Sequence, residues 1–144
     1  MGNEHLNYQS GSERLIITYK GWRICPLICY DLRFPVWSRN RNEYDILVYS
    51  ANWPQSRNDV WNTLLKARAI ENQSYVVGIN RVGIDGAAIN YSGNSLLIDP
   101  RGHILGQTND NVEDIICCNF SYNKLVKFRT NFPVLNDADS FLIC

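Results

Sequence analysis

The segment Asp45 to Ala51 (DILVYSA) is a nearly continuous apolar run. A run this short and rich in large aliphatic residues is the pattern of a strand buried on both faces, as in a parallel sheet covered by helices. The flanking segments complete a layered α/β arrangement. Arg14 to Tyr19 alternates like a strand, Lys20-Gly21 turns, and Trp22 to Cys29 (WRICPLIC) forms a second strand, giving a hairpin. Pro26 cannot donate to a ladder, so it predicts an edge or a bulge there.

Residues 34–42 read as a short helix with Pro35 in its first turn. Asn58 or Asp59 is placed to cap a long helix running to about Gln73, with Val60, Trp61, Leu64, Leu65, Ala69 and Ile70 forming one apolar stripe. Ser74 to Asn80 is a further strand, and 83–92 a polar, glycine-bearing loop. Asn94 to Ile98 and His103 to Gln107 flank the turn Asp99-Pro100-Arg101-Gly102. A last strand is expected over 112–119, and Ser121 caps a helix over 122–131 that stops before Pro133.

With 144 residues the length suits one domain, and Lys plus Arg (14) balances Asp plus Glu (14). That balance argues for no nucleic acid as partner, since phosphate binding rests on a basic excess. No apolar run approaches the length of a spanning helix, so no membrane partner is expected. Five cysteines at 25, 29, 117, 118 and 144 make an odd set without a CxxC pair, which suits neither a disulfide framework nor a zinc site. The expectation is free thiols in a reducing, cytoplasmic compartment, with no metal and no cofactor.

One thiol has a setting that suits chemistry. Cys29 lies where an apolar strand stops and a polar turn and helix begin, in Leu27-Ile28-Cys29-Tyr30-Asp31-Leu32-Arg33-Phe34-Pro35. A strand-to-helix turn exposes the thiol and aims unpaired amides at it, which favours thiolate and stabilises a developing oxyanion. The alternative on spacing alone is a cysteine buried in a core strand. Cys25 reads as core, Cys117 and Cys118 as strand interior, and Cys144 as terminal.

The segment ICYDLRFP resembles the nucleophile motif of the nitrilase, or carbon–nitrogen hydrolase, superfamily. YSANWP at 49–54, LKARAIENQSYVVGINRVG at 65–83, GNSLLIDPRG at 93–102 and the closing FRTNFPVLNDAD agree with it in order. The pairing of CYDLRFPVWSRN with ANWP looks most like the omega-amidases, which hydrolyse the terminal amide of 2-oxo acids such as 2-oxoglutaramate. The resemblance implies an α-β-β-α sandwich, of which residues 1–144 are the C-terminal half and the N-terminal portion is absent. It also implies a small-molecule amide substrate, and a homo-oligomer for the full-length protein. A sheet face or edge left bare would promote self-association of this chain.

By the same resemblance, Cys29 is the nucleophile that forms a thioester, and the Tyr30 amide is one oxyanion donor. The family's lysine and base glutamate lie upstream of the sequence, so a truncated, inactive remnant is the competing reading. Glu4 matches an auxiliary glutamate near the substrate; otherwise it is a solvated carboxylate. Asn52 and Trp53 end a strand beside that of Cys29, where ligands gather in open α/β sheets, and Trp53 is either a pocket wall or a rim residue. Arg33 either pairs a substrate carboxylate or holds Asp31. Arg68 and Glu71 read as an i,i+3 structural ion pair, Asn80 and Arg81 as weaker pocket residues, and His5 and His103 as poor substitutes for the missing base.

Overall fold

The computed structural model describes residues 6–140. Its frame is a six-stranded mixed sheet in the order β1-β2-β3-β4-β7-β8, with a separate two-stranded hairpin β5-β6. β1 (Ile17–Tyr19) pairs antiparallel with β2 (Trp22–Ile28) across the Lys20-Gly21 turn. β2, β3 (Ile46–Ala51) and β4 (Tyr75–Asn80) run parallel. β7 (Leu96–Ile98) and β8 (Ile104–Gln107) continue the sheet antiparallel. β1 reaches only as far as Ile24, so Pro26 sits where β2 has no partner on that side and its missing N–H costs nothing.

The register gives the sheet two different faces. Cys25, Leu27, Leu47, Tyr49, Val76, Leu96 and Ile98 point one way into the core, where Trp61 and Leu65 of α2 (Asn58–Glu71) meet them. The helix comes close because β4 carries Gly78: a Cβ there would stand 2.4 Å from Leu65 Cδ1 and 2.8 Å from Trp61. On the opposite face Pro26, Val48, Val77 and Leu97 line up across four strands and are half-buried, while Ile28 is 72% and Ile79 50% exposed. The expectation that β3 is covered on both sides is therefore corrected. Leu47 and Tyr49 are fully buried, but Ile46 and Val48 are only half so and Ser50 is exposed, because α2 packs on one face.

Other boundaries also differ from the sequence reading. The short helix is only α1 (Pro35–Ser38), preceded by a 3-10 turn over Cys29–Arg33. It stops because buried Asn40 uses its side-chain oxygen to accept the Glu43 N–H (2.9 Å) and its amide to reach the Tyr44 carbonyl (3.0 Å). Neither Asn58 nor Asp59 caps α2; Arg57 occupies the cap position without a side-chain bond, and Asn58 instead donates to Ser92 Oγ (2.6 Å). The expected loop at 83–92 contains the hairpin of β5 (Val82–Ile84) and β6 (Asn90–Ser92). No strand forms over 112–119, and Cys117 is exposed and Cys118 half-buried rather than interior. Ser121 does cap α3 (Tyr122–Asn131), accepting the Lys124 N–H.

At the N-terminal end of the parallel strands, buried Asp45 ties three elements together. It accepts from Arg23 Nε (3.0 Å) and Nη2 (2.7 Å) on β2 and from Arg129 Nη1 (2.8 Å) on α3. Burial alone would raise this carboxyl, but the arginines outweigh it and hold it below the usual carboxylate range.

Candidate active site

Three parallel strands end side by side, with Ile28, Ser50 and Ile79 in register, so the residues that follow them share one edge of the sheet. These are Cys29 after β2, Asn52 and Trp53 after β3, and Asn80 and Arg81 at the end of β4. The C-terminal edge of parallel strands is where α/β proteins place ligands.

Cys29 opens the 3-10 turn with φ of +39°, a left-handed conformation that costs a non-glycine residue about 1–3 kcal/mol. The turn is locked from within by Asp31, whose Oδ2 accepts the Ile28 N–H at 2.9 Å. The thiol is half-exposed, whereas Cys25 is completely buried, and burial pushes the Cys25 thiol up. Tyr30 is exposed, its ring edge-on to Phe34 at 5.3 Å.

The floor beside the turn is built on Trp53. Its indole is 3% exposed, lies 5.5 Å from the Trp61 ring, and donates Nε1–H to the Arg57 carbonyl at 2.9 Å. The Arg33 guanidinium lies over that indole at 5.0 Å, a cation–π contact. Among the described residues no carboxylate pairs with Arg33; Asp31 faces Ile28 instead. Trp53 therefore supports the site from beneath rather than standing open to it, and Asn52 is exposed beside it.

Asn80 fastens the strand ends. Its Oδ1 accepts the Trp53 N–H (2.7 Å), and its Nδ2 donates to the carbonyls of Trp53 (3.0 Å) and Gly93 (2.7 Å). The β5-β6 hairpin brings Tyr91 to the same side, with Arg81 over its ring at 4.7 Å and its hydroxyl donating to Asp85 at 2.8 Å. That bond, ahead of burial, holds the Tyr91 phenol above its ordinary value, and nearby Cys29 acts in the same direction.

Other candidates lie elsewhere. His103 pairs with Asp99 (3.1 Å) in the β7-β8 turn, at the opposite end of the sheet from Cys29. Glu4 and His5, like Cys144, fall outside the described residues. Arg68 bonds Glu71 (2.9 Å) as the spacing predicts, and also reaches the Leu32 carbonyl (2.6 Å), which the sequence does not foretell. The part played by Asn80 is similarly hidden, because its partners are 27 and 13 residues away. No group of three or more His, Cys, Asp or Glu able to hold a metal occurs among the described residues, and no described helix is long and apolar enough to cross a membrane.

Cys29 in a left-handed turn at a strand end, beside Arg33 over the Trp53 indole, is the cluster that the parallel strand ends bring together. The chain belongs to the carbon–nitrogen hydrolase family, whose model matches residues 3–129. It is 50% identical over 141 residues to omega-amidase YafV of Escherichia coli K12, covering 98% of this chain and 55% of that protein. It is 37% identical over 137 residues to 2-oxoglutaramate amidase of Bacillus subtilis, covering 94% of this chain and 52% of that one. Among solved structures it resembles XC1258 from Xanthomonas campestris, a CN-hydrolase superfamily protein with an arsenic adduct in its active site. The TM-score is 0.93 at 44% identity, over 99% of this chain and 57% of the other. The chain thus spans little more than half the length of the relatives it matches.

Proposed function

We propose that this chain carries the nucleophile-bearing part of an omega-amidase that hydrolyses the terminal amide of a small 2-oxo acid, 2-oxoglutaramate being the substrate to test. The observation that carries the reading is Cys29, held at φ of +39° at the end of a parallel strand, within a chain 50% identical over 141 residues to omega-amidase YafV.

In this reading the Cys29 sulfur attacks the amide carbon, and the Tyr30 N–H receives the charge that develops on the carbonyl oxygen. The C–N bond then breaks, the leaving nitrogen takes a proton and departs as ammonia, and a thioester remains. Water adds to the thioester carbon and releases the acid and the thiol, so one amide and one water give one acid and one ammonia. Arg33 presents its guanidinium toward the substrate's carboxylate, with Trp53 holding it from below and Asn52 at the rim. Glu4, matching the auxiliary glutamate, would act beside the substrate.

The resemblance calls for a lysine and a base glutamate that no motif among these residues supplies. The reading therefore assigns residues 1–144 to the C-terminal half of one domain and gives turnover to a protein that contains both halves. The span of relatives covered, 55% of omega-amidase YafV, also supports the alternative that the 144 residues alone are inactive. The test is ammonia release from 2-oxoglutaramate by the chain alone and by a version extended upstream, each with its Cys29→Ala counterpart. The extended protein is expected to turn over and its Cys29→Ala variant to lose at least a thousandfold. Equal rates for the pair would overturn the reading.

A further inference from the structure

We infer that Arg68 is the positioning residue of the reactive turn, holding the Leu32 peptide from α2 and so keeping Cys29 in its left-handed conformation. The inference rests on Cys29 being the nucleophile, as proposed above.

It begins with a carbonyl that the chain cannot satisfy locally. In a 3-10 turn the Leu32 oxygen would accept the N–H three residues on, but that residue is Pro35, which has none. Leu32 is fully buried. A buried carbonyl without a donor is costly, so the partner has to come from elsewhere in the fold. It comes from Arg68, itself 3% exposed, whose Nη2 donates at 2.6 Å.

The guanidinium is also held at its other end, where Nη1 donates to Glu71 at 2.9 Å. Just past the end of α2, the capping residue Asn72 accepts the Asn40 N–H with Oδ1 (2.8 Å) and Asn40 Nδ2 with its carbonyl (3.0 Å). The segment from the 3-10 turn to Asn40 is thus fastened to the C-terminal end of α2 at two points. A strained backbone persists only where its surroundings over-determine it, and this double attachment supplies that constraint. Arg68 touches neither thiol nor substrate; it acts through the peptide that it holds.

The experiment measures the alkylation rate of Cys29 by iodoacetamide against pH, read by mass spectrometry on the peptide that also carries Cys25. Cys25 is fully buried and labels only in unfolded molecules, so unfolding and loss of positioning separate within one peptide. The charged and titratable groups around Cys29, namely Asp31 and Arg33 on its turn and Arg81, Asp85 and Tyr91 beside it, are left unchanged. In the wild type the midpoint is expected below the free-thiol value of about 8.5. A midpoint at that value overturns the reading of Cys29 itself. With the wild type lowered, Arg68→Met is expected to raise the midpoint by about one unit, a tenfold slowing below it, while Cys25 stays protected. Arg68→Lys keeps one donor and is expected between the two. An unchanged midpoint in folded Arg68→Met overturns the positioning role. If Arg68→Met labels at Cys25, Arg68→Lys decides: a midpoint above wild type supports the role, and one equal to it overturns it.

Discussion

Asn80 satisfies three backbone groups that no strand ladder reaches: the N–H and carbonyl of Trp53 and the carbonyl of Gly93. Asn80→Ala would orphan all three in a nearly dry place, and a loss of about 3 kcal/mol is expected in urea unfolding. Asp45 sets the response to acid. Its folded pKa lies below the unfolded one, so its contribution is complete above the ordinary carboxylate value of about 3.9 and is lost as pH falls through the folded value. Asp45→Asn is expected to cost about 3 kcal/mol at neutral pH and to flatten the acid limb of a stability–pH curve, because Arg23 and Arg129 lose their counter-charge. At this scale the placement of Cys29 just after a strand is legible in the sequence, since a strand that ends in a polar turn is a local pattern. Asn80 and Arg68 are not legible that way. Their partners are brought near only by folding, and an amide or guanidinium in a helix or strand looks the same whatever it reaches for.

α2 is the element on which the site depends, since it lies on the core face of β4 and grips the segment after Cys29. Its close seat rests on Gly78. Gly78→Ala would drive a methyl into Leu65 and Trp61, both fully buried, and a loss of about 1–3 kcal/mol is expected, visible as a lower melting temperature and altered near-ultraviolet dichroism from Trp61. The apolar stripe of this helix was readable at Trp61, Leu65 and Ala69, where the helical period coincides with burial. The same period includes Ile70, which remains exposed, although it packs where a Cβ on Gly102 would intrude. The segment at 112–119 misleads for a different reason. Apolar residues such as Ile115 and Ile116 suggest a strand, but a strand exists through its partner, and the segment pairs with none of the described strands.

For the whole molecule, one face of the sheet is a core and the other is an apolar surface. The half-buried row Pro26, Val48, Val77 and Leu97 is flanked by exposed Ile28 and Ile79 on either side of Ser50, which gives this face neighbouring rather than scattered apolar residues. Sedimentation of the 144-residue chain is expected to show concentration-dependent association, and Ile79→Lys to weaken it; a monomer at all concentrations would contradict this. The layered α/β class was legible from the short, β-branched and aromatic run at 45–51 together with the helical stripe that follows it. How many of its faces are covered was not, since burial on the second side depends on what else is present to pack there.

The parallel pairing of β2, β3 and β4 also has a consequence in time. Parallel neighbours cannot be joined by a tight turn, so each pair forms only after a long stretch of chain has been drawn in. The first such stretch opens at Cys29 and closes at Asp45, just before β3 begins at Ile46. Asp31 can close on Ile28 within the turn itself, but the hold of Arg68 on the Leu32 carbonyl exists only once α2, which follows β3, has docked, so the full set of contacts around Cys29 is completed late in folding. During refolding, Cys25 is expected to become protected from alkylation as β3 and α2 cover it, and that protection dates the completion of those contacts.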